Sequence, residues 1–130
     1  MNNKRISISS GNHLEEEVGY SRAVRVGNIV EVSGTTAVED GEVIGVGDPY
    51  QQTLCICKKI KSALEAVGAS LDDVTRVRIY LTNIAHWKQA TRAYSEYFKT
   101  VKPACSLLEV NKFIGDDLLI EIETSAVIAE

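Results

Sequence analysis

Asp48-Pro49-Tyr50-Gln51-Gln52-Thr53-Leu54-Cys55-Ile56-Cys57-Lys58-Lys59-Ile60-Lys61-Ser62-Ala63-Leu64-Glu65-Ala66-Val67-Gly68 is the stretch whose reading decides the fold. Asp48 can cap free helix amides, and Pro49 carries the right φ for a first helical position. Gln51 stands where a capping-box partner belongs. Leu54, Cys57, Ile60, Leu64 and Val67 recur at spacings of three and four, so they form one apolar stripe. Gly68 suits a left-handed cap. A long amphipathic helix with a single stripe must lie on something flat, and the flanking sequence supplies the strands.

Upstream, Val24 and Val26 alternate with Arg25, and Val30 and Val32 alternate with Glu31. Gly27-Asn28 between the two runs predicts a hairpin turn, because both residues tolerate positive φ. Arg5 to Ser9 alternates as a short edge strand. Downstream, Val77, Ile79 and Leu81 alternate with Arg78 and Tyr80. A second helix is predicted from Ala85 to Lys99, with Trp87, Ala90, Tyr94 and Phe98 as its core stripe, and Pro103 forbids its continuation. Cys105 to Val110 reads as a strand, Asn111 to Asp117 as a loop, and Leu118 to Ile128 as the last strand. On that strand Leu118, Ile120, Ile122, Ala126 and Ile128 share one face. Leu119, Glu121, Glu123, Ser125 and Val127 share the other.

The predicted order is β-β-β-α-β-α-β-β, an α+β domain spanning residues 1–130 with both helices on one face of one sheet. The half-apolar second face predicts cover by another subunit, hence a homo-oligomer.

Composition narrows the function. The chain has 130 residues, 45% hydrophobic and 25% charged, with a formal net charge of −4. It fits a single globular domain. The acidic balance argues against nucleic acid as a partner, since phosphate-backbone binding needs many cations. No apolar run reaches the roughly 20 residues a membrane span needs. Met1-Asn2-Asn3-Lys4-Arg5 lacks the apolar segment of a signal peptide, so a cytoplasmic location is expected. Three cysteines, Cys55, Cys57 and Cys105, are expected as reduced thiols. His13 and His86 read as solvated loop and first-turn residues outside any metal-ligand spacing. No phosphate-binding loop or dinucleotide fingerprint occurs, so neither a metal nor a cofactor is expected.

Gly19-Tyr20-Ser21 with Ala23-Val24 and Val26-Gly27-Asn28, the Ser33-Gly34 step, Leu64 to Val74, Tyr94-Ser95-Glu96-Tyr97-Phe98, Pro103-Ala104, and Glu121-Ile122-Glu123 with Ala126 together resemble the Rid family. Its members are also called YjgF or endoribonuclease L-PSP proteins. The resemblance covers nearly the whole chain. It implies a chorismate-mutase-like fold and a homotrimer whose sheets close into a central barrel, with ligand clefts between subunits. It further implies hydrolysis of reactive enamines and imines to carbonyl compounds and ammonia. In such members a P-A-R arginine grips the substrate carboxylate, and a glutamate on the last strand handles water.

The chain departs from that pattern. Cys105 follows Pro103-Ala104 in place of the arginine, Thr91 stands for the second-helix asparagine, and the proline before Tyr20 is missing. A thiol cannot form a bidentate carboxylate pair, so turnover of 2-aminoacrylate-like imines is expected to be weak. Arg76, Arg78 and Arg92 are the arginines that could compensate if the fold turned one into the cleft. The resemblance thus implies Glu121 and Cys105 as catalytic candidates and Tyr20, Ser33, Gly34 and Thr91 as ligand-binding candidates. The ligand would be a small carbonyl or carboxylate metabolite. Cys105 reads either as a cleft thiol or as a small apolar filler where an arginine was lost. Glu121 reads as the cleft acid or an interface contact, its pKa open to being raised by Glu123. Ser33 could meet a ligand or cap a strand end. A non-catalytic ligand-binding trimer and an endoribonuclease are the alternatives.

Overall fold

The computed structural model describes residues 4–129. Met1 to Asn3, part of the segment read as no signal peptide, lie outside the described residues.

The strands are β1 (Arg5–Ile8), β2 (Ala23–Val26), β3 (Ile29–Thr35), β4 (Val38–Glu39), β5 (Glu42–Val43), β6 (Val74–Leu81), β7 (Ala104–Glu109) and β8 (Ile120–Val127). The helices are α1 (His13–Val18), α2 (Pro49–Ala66) and α3 (Trp87–Phe98). The main sheet runs β1-β2-β3-β8-β6-β7, and β4 and β5 form a separate small hairpin. Among the described residues only β6 and β7 pair in parallel, across the α3 crossover. The element pattern is the one the sequence predicts, with three additions: α1, the β4–β5 hairpin, and one-turn 3-10 segments at Leu71–Asp73 and Ile84–His86.

Local chemistry explains the boundaries. Gly27 takes φ +59° in the β2–β3 turn, a left-handed conformation that costs glycine nothing. Asp48 accepts from the Gln51 amide, while the Asp48 amide donates to Gly45 instead of to a Gln51 side chain, so only half of the expected capping box forms. Helix α1 is six residues, too short for a periodic signal, yet it is capped at both ends: Asn12 accepts from the Leu14 amide, and Gly19 is left-handed.

The two long helices cover one sheet face, as predicted. Buried and partly buried residues alternate strictly along β8, with Ile120, Ile122, Thr124 and Ala126 inward. They meet Val77, Ile79 and Leu81 of β6, and Ile56, Ile60 and Leu64 of α2, all 1% exposed or less. Each such side chain contributes about 1.5–3 kcal/mol through apolar burial. Phe98, 1% exposed, closes the α3 end and stacks on Tyr94 at 4.7 Å.

Trp87 corrects the predicted stripe. It is 48% exposed, with the Lys88 ammonium 5.7 Å from its ring. The buried seam of α3 starts one turn later, at Ala90, because Trp87 is only the first residue of the helix. His86 is half-buried rather than solvated, and its Nδ1 is buried without a hydrogen-bond partner.

The opposite face carries Arg76, Arg78 and Tyr80 of β6 beside Glu121, Glu123 and Ser125 of β8, as the register shows. Around these polar residues Val26, Ile29, Leu108 and Val127 stand exposed.

Candidate functional site

The register between β3 and β8 breaks between Val32 and Thr35. Such an irregularity bends a strand and re-aims what it carries. Here it is held by side chains. The Ser33 hydroxyl donates to the Ser21 carbonyl (2.6 Å), and the Thr35 hydroxyl donates to the Ser33 carbonyl (2.8 Å). Arg22 Nη2 donates to the Gly34 carbonyl (2.9 Å). The bent strand brings Gly34 against the Glu121 carboxyl so closely that a Cβ on Gly34 would lie 2.7 Å from Glu121 Cδ. It is this close approach, and not its φ, that sets glycine apart here: a larger residue would push the Glu121 carboxyl aside.

Glu121 stands at one wall of an open groove of about 1250 Å³. Tyr20, Arg22, Gly34, Lys59 and Lys112 line the same groove. Burial raises the Glu121 carboxyl above its ordinary pKa, and the neighbouring Glu123 charge adds to this against the opposing pull of Arg22. Glu123 in turn accepts from the Tyr80 hydroxyl. Lys59 reaches from α2 and donates to the Thr36 (2.8 Å) and Val38 (2.7 Å) carbonyls. Its burial lowers its own pKa.

The groove has two anchored rims. On one, Glu15 is 5% exposed and accepts from the Ser10 amide (3.1 Å) and the Ser10 hydroxyl. Burial alone would raise its pKa. The Ser10 and Ser9 hydrogen bonds and the Arg22 charge outweigh this and hold it below the ordinary value. On the other rim, the buried Gln52 amide donates to the Gly45 (3.2 Å) and Asp117 (2.9 Å) carbonyls. Its oxygen accepts from the Leu119 amide (3.0 Å).

Within one chain, three of the six residues expected at the site converge: Tyr20, Gly34 and Glu121. Ser33 is adjacent with its hydroxyl spent on Ser21. Thr91 lies on α3, its hydroxyl donating to the Trp87 carbonyl (2.8 Å) of its own helix. Cys105 is on the edge strand β7, opposite Val77 and therefore on the helix side of the sheet, the face away from Glu121. Burial raises its thiol, against the lowering effects of the Tyr94 hydroxyl and the Arg76 charge.

None of the three arginines considered from sequence lines the groove. Arg76 Nη2 donates to Ser106 (2.6 Å), Arg78 pairs in register with Glu123, and Arg92 lies over the Tyr50 ring at 4.3 Å. The arginine that does line it is Arg22. A signal for it was present in the alternation: Arg22 is two residues before Val24, which pairs with Glu31 on the outer face.

Residues 10–128 match the sequence profile described as Endoribonuclease L-PSP. The chain belongs to that family. A RutC family protein of Pyrococcus abyssi is 40% identical over 109 residues, 82% of this chain and 84% of that protein. An uncharacterized protein of Streptomyces coelicolor is 35% identical over 119 residues, 92% of this chain and 89% of that one. Among solved structures, the Mycobacterium tuberculosis member of the YjgF/YER057c/UK114 family superposes with a TM-score of 0.88 at 40% identity, over 96% of this chain and 100% of that one. A Rid family protein of unknown function from Yersinia pestis superposes with a TM-score of 0.85 at 28% identity, over 96% of this chain and 100% of that one. The mixed α+β fold and the Rid, or YjgF, assignment are therefore settled for this L-PSP family chain.

Proposed function

We propose that this protein hydrolyses small imine or enamine metabolites to carbonyl compounds and ammonia in the Tyr20–Gly34–Glu121 groove, as a homotrimer. The observation that carries the reading is Glu121, a half-buried carboxyl with a raised pKa at the wall of an open groove. A carboxyl raised toward the working pH can both give and take a proton. Protonated Glu121 gives its proton to the imine nitrogen as water oxygen bonds to the imine carbon. The carboxylate then takes one proton of that oxygen and passes it to nitrogen. As the C–N bond breaks and ammonia leaves, the carboxylate takes the remaining hydroxyl proton, which yields the carbonyl compound and restores protonated Glu121.

Exposed Val26, Ile29, Leu108 and Val127 on the outer sheet face support the trimer, since apolar surface interleaved with polar pairs suits a subunit contact. Cys105 would then meet a groove only across subunits. The net charge of −4 weighs against RNA as substrate.

The test is ammonia release from imines generated in place from amino acids by an amino-acid oxidase, compared with Glu121→Gln. Acceleration over the spontaneous rate by the wild type, lost in Glu121→Gln with folding and oligomeric state intact, supports the proposal. Equal acceleration by both proteins refutes the role of Glu121, and none by either refutes the reaction. Light scattering that shows a monomer at micromolar concentration refutes the trimer.

A further inference from the structure

A second cavity, of about 510 Å³, lies where hairpin β4–β5, helix α2 and helix α3 meet. Small-molecule sites usually enclose about 300–1,000 Å³. Of the residues that line it, only Glu39 also lines the Glu121 groove. None of the apolar residues proposed for the subunit contact belongs to it.

Its floor is uncharged. Ile44, Leu54 and Tyr97 supply aliphatic and aromatic surface. Burial pushes the Cys55 thiol up to about 11, and the Glu39 charge adds to this, so the thiol stays neutral at physiological pH.

Its rim carries both signs of charge, and these do not neutralise one another. Glu39, Lys58 and Glu96 are all exposed. Among the described residues the one ion pair within 4.0 Å joins Lys61 to Glu65, so Lys58 meets neither carboxylate. Lys58 also makes no hydrogen bond there. Glu39 accepts from the Cys55 thiol across 3.5 Å, and Glu96 accepts from the Tyr50 hydroxyl. Opposite charges held apart over an apolar floor match a ligand that carries both charges on an apolar body. An α-amino acid is such a ligand: its ammonium faces the carboxylates, its carboxylate faces Lys58, and its side chain covers the floor. The Tyr97 ring favours an aromatic side chain, since ring pairs gain beyond their buried area. A singly charged ligand would satisfy one sign and leave the other in water.

We infer that this cavity is a binding site for apolar α-amino acids, aromatic ones foremost. The inference stands apart from the proposed hydrolysis and from the groove that Glu121 lines.

The probes are L-phenylalanine and its singly charged twins, phenethylamine and phenylpropionate. Each is titrated into isotope-labelled protein and followed through the backbone amide shifts. Wild type should bind phenylalanine more tightly than either twin, with shifts at the Leu54, Lys58 and Tyr97 amides. Lys58→Gln should weaken phenylalanine about threefold, the scale of one exposed charge pair, without weakening phenethylamine. The double variant Glu39→Gln/Glu96→Gln should weaken phenylalanine and phenethylamine alike, without weakening phenylpropionate. All three substitutions fall on exposed side chains, so the fold should hold, and the amide spectrum checks it.

Equal wild-type affinity for all three probes overturns the zwitterion. Shifts confined to the Tyr20, Gly34 and Glu121 amides put phenylalanine in the groove and overturn the cavity as its site. Phenylalanine affinity unchanged in either variant, or no saturable shift at millimolar phenylalanine, overturns the inference outright.

Discussion

Replacing Gly34 by alanine separates the groove's chemistry from the stability of the fold. The new Cβ would stand 2.7 Å from Glu121 Cδ, 2.8 Å from Oε2 and 3.1 Å from Oε1. Ordinary contact begins near 3.4 Å, so the carboxyl must retreat by about 0.7 Å. What moves is the free end of a flexible side chain, which keeps the cost small. An off-rotamer adjustment costs about 0.5–1.5 kcal/mol. A Gly→Ala change at a conformation alanine can adopt returns about 0.4–1 kcal/mol by restricting the unfolded chain. The two nearly cancel, and the melting temperature should move by no more than about 4 °C. Function should not be spared, because a displacement near 1 Å at a reacting group can cost about 100-fold. A carbon-detected NMR titration of the Glu121 carboxyl, run beside thermal melting and the ammonia-release assay, reads both sides. The carboxyl's titration midpoint should fall toward its ordinary value as the group is pushed from its half-buried seat. An unchanged midpoint with unchanged turnover would refute the claim that Gly34 positions Glu121.

Gln52→Leu should cost about 1–3 kcal/mol in urea unfolding, because it removes at once the partner of the half-buried Leu119 amide and of the Gly45 and Asp117 carbonyls. Phe98→Ala should cost about 3–5 kcal/mol by the same measurement, through an emptied core position. In the monomeric fold one thiol of three should react with a chromogenic disulfide at neutral pH: Cys105 is exposed, while burial pushes Cys55 to about 11 and Cys57 to about 12. Glu15 sits below its ordinary pKa of 4.5 in the fold, so its contribution to stability is present above 4.5 and lost as pH falls through the folded value. The stability gap between wild type and Glu15→Gln should accordingly be full at neutral pH and close in acid.

Most of the sheet and both long helices were legible because their signals are repetitive. Period-two alternation in β2, β3, β6 and β8 and the three-four spacing of α2 each recur several times, and end signals such as Asp48-Pro49 and Gly27-Asn28 agree with them. Short elements escaped, since six residues of α1 or two of β4 hold too little pattern to stand out. Trp87 was misplaced because spacing gives the direction a side chain points but not where the covering layer ends. At the site, Tyr20, Gly34 and Glu121 were recoverable by resemblance. Arg22 was passed over because it fills a variable position of the motif. Its place in the groove depends on a hydrogen bond to the Gly34 carbonyl twelve residues on, and one-dimensional sequence does not record that. The chain's own Cys105 and Glu121 lie on opposite faces, a separation that the residue spacing alone does not reveal.

Strand β8 is made after every other strand of the sheet, yet it lies between β3 and β6. During synthesis the β1–β3 half and the β6–α3–β7 half must each wait for it. From Thr35, where β3 ends, to Ile120, where β8 begins, the ribosome adds 85 residues. At about 5–20 residues per second this takes roughly 4–17 s. Through that interval β3 has an open edge, and once Leu81 is made β6 has one as well, so chaperones have their longest opportunity to act. Because Glu121 arrives on the same strand that closes the sheet, no nascent chain carries a finished groove on an unfinished fold. A chain that stops between Glu109 and Ile120 holds both halves of the sheet without the strand that joins them, and it lacks Glu121.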